Sequence, residues 1–304
     1  MRIHLTLALL LTSLVAPGQV RTVFLDADTA NEVDDLYAIV LAFAEPTWRI
    51  PVLASTQWQN SQWATERTME DSYRLNQHLA AHLGVQDSTQ VVRGGHRRMY
   101  DWGHMAVHSH ASDALIALSQ NHDAANKLTV VALGALTNVA SALYLDPTLA
   151  ERMEVYWLGS TYDFDTHRAR FTDFNALMDP QAAQLVLEHP TLRVHVLPVN
   201  EVGMHTVTYK QVEEFIAQES LLADLLLDRW RGHMDGSKAT RVLWDLAIIQ
   251  ILRLPILAVE LQAPGYGGGN VTAYTNLIGE ELFNRALAGI SLHLTALQKV
   301  SNAD

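Results

Sequence analysis

The chain has 304 residues, 49% of them hydrophobic, and a formal charge of −12. An acidic excess of that size argues against a nucleic-acid or anionic-membrane surface and favours a neutral or cationic small molecule as partner. Cysteine is absent, which excludes disulfides, a lipid-anchored Cys and thiolate metal sites. Residues 1–19, MRIHLTLALLLTSLVAPGQ, hold one Arg, a short apolar core and then Ala16-Pro17-Gly18. They read as a secretory signal, too short to cross a bilayer, which predicts a periplasmic or secreted protein; an unprocessed buried first strand is the alternative. Strand-like runs follow at Val23–Ala27, Ile50–Thr56, Leu128–Leu133, Met153–Leu158 and Leu192–Pro198. Helical patterns lie between them at Asp34–Phe43, Trp63–Leu83, Ser112–Ser119, Leu136–Leu145 and Asp179–Leu187. Helical patterns continue over Lys210–Trp230 and Trp244–Leu254, an irregular Gly-rich stretch spans Leu261–Gly269, and Glu280–Leu297 reads as a closing helix. This alternation predicts an α/β fold with a single open, mostly parallel sheet flanked by helices. No linker or repeat divides the chain, so 20–304 reads as one domain.

The sharpest local signal is VFLDADTANEVDDLYAIV (Val23–Val40), where Asp26, Asp28, Asp34 and Asp35 crowd between a strand and a helix. In open α/β sheets that handover lies at the carboxyl edge, where ligands bind. Asp and Asn are good helix caps, and acidic residues suit a first helical turn, so a lone Asp here would be a cap. Four carboxylates cannot all stay ionised unless something positive neutralises them, and an oxygen-seeking cation such as Ca²⁺ or Mg²⁺ does so.

Three further places carry polar residues at strand or helix ends. Val130–Leu143 ends a strand at Leu133, turns at Gly134 and starts a helix near Thr137 and Asn138. Asp173-Phe174-Asn175 precedes an Asp179-Pro180 helix start, and Trp244-Asp245 opens an apolar helix. Together these resemble the inosine–uridine-preferring nucleoside hydrolase family. Its D-x-D-x-x-x-D-D signature appears as D-A-D-T-A-N-E-V-D-D, with two extra residues before the Asp pair. Its G-x-L-T-N turn is Gly134–Asn138, and its E-F-N and D-P-x-A-A motifs become Asp173–Asn175 and Asp179–Ala183. Its late acidic residue matches Asp245. The matches come in family order from Val23 to about Leu254.

The resemblance implies a site. Asp28, Asp35, Asp245 and the backbone carbonyl of Leu133 would hold Ca²⁺, which would also grip two ribose hydroxyls and one water. Asp28 would take that water's proton. Asp34, Asn175, Asp173 and Asn60 would contact the ribose. Such a site would reject 2′-deoxyribose, whose missing hydroxyl leaves its partners unpaired. The implied partner is a nucleoside, with no nucleic acid or membrane, and the oligomeric state stays open, homo-oligomer included.

The chain departs from the family at four points: the two extra residues, Asp173 in place of Glu, Leu158-Gly159-Ser160 in place of Met-Gly-Gly, and Trp244 in place of the common His. Trp at that position is shared with the purine-preferring branch, and an indole face suits a purine, so a purine preference is expected; ordinary core packing is the alternative for Trp244. His104, His108, His110 and Asp113 have spacing that could bind zinc, while Tyr100, Trp102 and His104 could form a lid. Trp58 and Trp63 could line a base pocket or a core. Two other functions compete. A non-catalytic nucleoside- or ribose-binding protein would keep the same fold. A haloacid-dehalogenase phosphatase would share the DADT pattern, but neither Lys127 nor Lys210 leads into its later motifs.

Overall fold

Apolar runs bounded by polar turns become the strands of one sheet, and the amphipathic runs between them become its covering helices. The computed structural model describes residues 20–99, 105–216 and 220–301. The sheet has eight strands: β1 (Arg21–Ala27), β2 (Trp48–Ser55), β3 (Gln90–Arg93), β4 (Leu128–Ala132), β5 (Met153–Leu158), β6 (Arg193–Leu197), β7 (Val259–Gln262) and β8 (Asn270–Thr275). Their spatial order is β7-β8-β6-β5-β4-β1-β2-β3. Every neighbouring pair is parallel except β7 against β8. The expected open, mostly parallel sheet is present.

Flanking helices include α1 (Asp34–Phe43), α2 (Thr68–Leu83), α3 (His110–Ser119), α4 (Thr137–Leu145), α5 (Phe174–Met178), α6 (Pro180–Leu187), α7 (Tyr209–Ile216), α8 (Leu221–Gly232), α9 (Trp244–Arg253) and α10 (Gly279–Ser301). Side chains alternate across β1, so its residues feed two cores. Val23 and Leu25 pack in one layer with Leu36 and Ile39 of α1, Ile248 of α9 and Ile290 of α10. Phe24 faces the other, with Leu115 of α3, Val139 of α4 and Val186 of α6. Leu36 to Ala42 of α1 are fully buried on all sides, as expected for a helix that is apolar all round.

The differences from expectation have local causes. α2 starts at Thr68 rather than Trp63, because the preceding residues form turns, with the Ala64 N–H on the Ser61 carbonyl. The Lys210–Trp230 pattern divides into α7 and α8, the latter capped by the Ser220 hydroxyl accepting the Ala223 N–H. Strands β3, β7 and β8 were not expected; β7 claims Leu261 and Gln262 from the stretch read as irregular. Among the described residues no helix is long and apolar enough to cross a membrane. The segment read as a signal, and the Tyr100, Trp102 and His104 group, lie outside the described residues.

The topology dictates where ligands go. From β1 the chain builds outward through β2 and β3, then returns to β1's other side and builds through β4, β5 and β6. The crevice at the carboxyl ends of β1 and β4 is therefore a topological switch point. There the Leu133 N–H donates to the Asp26 carbonyl at 2.8 Å, which locks the two strand ends together.

Candidate active site

Beyond β1 the chain makes a tight turn, with the Asn31 N–H on the Asp28 carbonyl at 2.8 Å, before α1 begins at Asp34. Its outer side is pinned by neighbours. Thr29 Oγ1 donates to Asn76 of α2 at 2.6 Å, Trp63 Nε1 donates to the Asn31 carbonyl at 3.1 Å, and His233 Nε2 meets that same oxygen at 2.6 Å. The turn cannot relax outward, so its carboxylates face the crevice.

That crevice is a cavity of about 270 Å³ lined by Asp28, Asn31, Glu32, Asp34, Asp35, Asp173, Asn175 and Asp245, with Leu133, Leu158, Phe174, Val199 and Trp244 as its apolar wall. Asp34, Asp35 and Asp245 each place a carboxylate oxygen within 4.8 Å of the others. The family resemblance implies Asp28, rather than Asp34, as the partner of Asp35 and Asp245; Asp28 lines the same cavity. The Asp245 N–H, at the start of α9, donates to Asp34 Oδ2 at 3.2 Å. Asp28 Oδ2, Asp35 Oδ1 and Asp245 Oδ1 are buried without a hydrogen-bond donor.

Electrostatics follow from this crowding. Burial pushes the Asp28 carboxyl up to about 7, with the charge of Asp34 adding to it. Burial likewise raises Asp35 and Asp245 well above the carboxylate range, and each is raised further by its acidic neighbours. Glu32 is pushed up to about 8 by burial, then by Asp34 and Asp235. Unpartnered buried carboxylate oxygens are costly. An all-oxygen set at these separations is the donor chemistry of a hard divalent cation, so the residues fit one.

Asp26 plays a different part. It lies on Phe24's side of β1, where Asn138 Nδ2 of α4 donates to both its oxygens at 2.9 and 3.1 Å. Burial raises its carboxyl to about 7 against that bond. It straps β1 to α4 and does not line the cavity.

The opposite wall comes from the ends of β4 and β5. Gly134 permits the close approach there: a Cβ would sit 2.6 Å from Asp28 Oδ1. Asn175 Nδ2 donates to the Leu133 carbonyl at 2.5 Å and to the Leu158 carbonyl at 2.9 Å, joining both strand ends. Asp173 Oδ1 caps α5 by accepting the Ala176 N–H at 3.2 Å, while its Oδ2 is buried and unpartnered. Ser160 stands where the family has Gly and adopts φ +60°, a conformation that favours glycine. Its hydroxyl is held by the Tyr266 phenol at 2.5 Å. Trp244 is half-buried on the cavity wall, and a Cβ on Gly203 would lie 3.3 Å from its ring.

Other candidates sit elsewhere. Asn60 is outside the cavity lining, exposed, with its amide donating to the Leu177 carbonyl at 2.8 Å. Trp58 is buried with Ala135 and Met178, and its indole N–H donates to Ser72 at 3.1 Å. Trp63 holds the acidic turn from outside. His108 pairs with Asp113 at 2.6 Å on the surface, and among the described residues only the three aspartates converge as a metal-binding group. Asn31, Glu32, Phe174 and Val199 line the cavity without having been assigned roles from sequence.

The profile of the inosine-uridine preferring nucleoside hydrolase family matches residues 23–256. The inosine-uridine preferring nucleoside hydrolase of Leishmania major is 29% identical over 185 residues, covering 55% of this chain and 56% of that protein. Probable uridine nucleosidase 1 of Oryza sativa subsp. japonica is 24% identical over 234 residues, covering 69% and 70%. The chain thus spans about half the length of the first curated relatives it matches. Among solved structures, a plant nucleoside hydrolase aligns with TM-score 0.68 at 21% identity, covering 91% of this chain and 99% of that one. A purine-preferring ribonucleoside hydrolase from Gardnerella vaginalis gives 0.70 at 16% identity, covering 91% and 100%. These structural likenesses concern the fold. The match over residues 23–256 goes further: the chain belongs to the inosine-uridine preferring nucleoside hydrolase family.

Proposed function

We propose that this cavity hydrolyses the N-glycosidic bond of ribonucleosides in a Ca²⁺-dependent reaction that favours purine bases. The observation that carries this reading is the set of unpartnered buried oxygens on Asp28, Asp35 and Asp245 at the sheet's switch point. Asp35 and Asp245, with Asp34 close enough to share it, would hold the cation, and Asp28 and Leu133 line the same cavity. When bound, a divalent cation supplies Lewis-acid activation of water and neutralises the carboxylates. Asp28 accepts the proton of the attacking water at Oδ2, the oxygen that no protein group engages. Asp173 Oδ2 and Asn175 face the sugar. Fixed negative groups around it stabilise the oxocarbenium-like transition state of glycoside cleavage.

The leaving base meets Trp244. Its indole, backed by Gly203, offers a flat apolar face that stacks on a bicyclic base and favours the cationic, protonated form. Phe174 and Val199 extend the apolar part of the cavity lining. The N-terminal apolar segment adds export to this reading, and mass spectrometry of the protein from its source would detect a mature N-terminus beyond residue 16.

The deciding experiment follows free base released from inosine, adenosine, guanosine, uridine and cytidine, with calcium, with chelator, and with Asp28→Asn. Calcium-dependent release that the substitution abolishes supports hydrolysis, and the rates rank the bases. Faster cleavage of uridine than of inosine sinks the purine preference. No release, while calcium still raises the melting temperature, leaves a nucleoside-binding protein instead.

A further inference from the structure

The two residues by which the acidic turn exceeds the family signature do not bulge into solvent. Trp63 and His233 clamp the Asn31 carbonyl, Arg229 Nη2 reaches the Ala30 carbonyl at 3.5 Å, and Ser72 of α2 accepts the Ala30 N–H at 3.4 Å. The added length is taken up inward, and Glu32 emerges on the cavity wall beside Asp28, Asp34 and Asp35. Asp34 lines the same cavity deeper in, against the start of α9. It is 3% exposed, accepts the Asp245 N–H, and brings an oxygen within 4.8 Å of those of Asp35 and Asp245. In the family pattern the carboxylate at Asp34's position faces the sugar.

We propose that in this chain Glu32 contacts the sugar hydroxyls and Asp34 joins Asp35 and Asp245 as a cation ligand. The Glu32 half rests on the nucleoside reading above; the Asp34 half rests on the carboxylate geometry alone. Glu32 is the more accessible of the two and has one methylene more reach. Arg241, the cation whose charge acts on it, is already engaged by both oxygens of Asp235. Glu32 therefore keeps its oxygens for a ligand, and a vicinal diol supplies two O–H donors for the short, strong bonds that carboxylates accept. Asp34, buried against the start of α9, can reach a cation but is poorly exposed to a sugar.

The test titrates calcium into chelator-stripped full-length protein by calorimetry, then D-ribose and inosine into the calcium-saturated Asp28→Asn background. The added substitutions are Asp34→Asn, Glu32→Asp and Glu32→Gln, with circular dichroism checking the fold. Glu32→Asp keeps the charge but withdraws the carboxylate by one methylene. It should hold calcium within about threefold, since the field at the cation is little changed. It should weaken ribose and inosine by about tenfold or more, the loss expected for a hydrogen bond to a charged group. Asp34→Asn should weaken calcium by about tenfold or more. Unchanged sugar affinity in both Glu32 variants overturns the Glu32 contact. Unchanged calcium affinity in Asp34→Asn overturns the ligand assignment. If the background protein binds calcium but neither ribose nor inosine, the nucleoside reading and the Glu32 contact fall together. The calcium titration of Asp34→Asn still decides the other half.

Discussion

Replacing Asp35 by Asn should stabilise the cation-free protein and destabilise it relative to wild type once calcium is added. Asp35 is 1% exposed, and its carboxyl is forced upward first by burial and then by the charges of Asp28, Asp34 and Glu32. Two ionised carboxylates with oxygens within 4.8 Å of each other repel by about 3.5 kcal/mol or more at an effective dielectric near 20. Proton uptake relieves part of this, so the neutral amide should gain about 1–2 kcal/mol without metal. For a chain of this size that raises the melting temperature by about 2–4 °C. Calcium at a hundredfold over its Kd should stabilise wild type by about 2.7 kcal/mol and the variant by far less. Scanning fluorimetry in chelator and across a calcium series should therefore give curves that cross. A variant that is less stable than wild type in chelator, or gains as much from calcium, would refute the idea that mutual repulsion is what the cation relieves.

Other predictions test separate parts of the site and fold. Gly134→Ala would push a methyl to 2.6 Å from Asp28 Oδ1 and 2.8 Å from Thr56 Cγ2. A cost of about 1–3 kcal/mol and at least a tenfold loss of kcat/KM are expected, so wild-type turnover would disprove the tight packing. Asp173→Ser keeps a side-chain oxygen for the Ala176 N–H, whereas Asp173→Ala loses the cap and about 1 kcal/mol. Both should lose base release equally, because both lack Oδ2 in the cavity; activity in the Ser variant alone would reduce Asp173 to a cap. His195 stacks on Tyr156 and is flanked by Glu154 and Glu260. Burial lowers its pKa, but hydrogen bonds and charges from the two carboxylates outweigh that and raise it. Its contribution is thus fully present below the unfolded value of about 6.5 and is lost as pH rises through the higher folded value. Urea unfolding at pH 6 and pH 8.5 should show that loss in wild type and not in His195→Gln; equal slopes would count against it.

Much of this was legible in the sequence because parallel strands buried on both faces carry apolar runs, as Val23–Leu25 of β1, Val130–Ala132 of β4 and Val155–Leu158 of β5 do. The hidden strands lack that mark. β7 (Val259–Gln262) is an exposed edge, and β8 reads NVTAYT directly after Gly267–Gly269, with Val271 its sole branched aliphatic residue. The cavity aspartates were legible for a chemical reason, since crowded carboxylates at a strand end need a common neutraliser. Position along the chain separates Asp26 from them: it lies within β1 on Phe24's face and meets Asn138 of α4, whereas Asp28 follows the strand's end at Ala27 and lies in the turn that lines the crevice. Val199 gave no signal, because its place on the wall depends on β6 lying two strands from β4. The signal for Glu32 was present as two residues of extra length, but length alone does not say whether a turn grows outward or inward. Trp63 and His233, distant in sequence, decide it.

The choice between a catalyst and a binder turns on what the cavity retains beyond complementarity. A protein that only binds a nucleoside gains from matched donors and acceptors and from an apolar seat, and Asn175, Asp173 and Trp244 would provide them. It gains nothing from a further buried carboxylate whose Oδ2 lacks a partner, as in Asp28, because such an oxygen weakens the fold and repels the neighbouring acids. That arrangement becomes useful when a proton must be received beside a cation. Burial also raises the Asp28 carboxyl to about 7; a bound cation would pull it down again, so the group's basicity would depend on occupancy of the adjacent site. The same carboxylates would then hold the metal, tune the base and oppose the charge that develops on the sugar. A single topological switch point, closed by Gly134 and the Asn31 clamp, would bring those three tasks within one cavity.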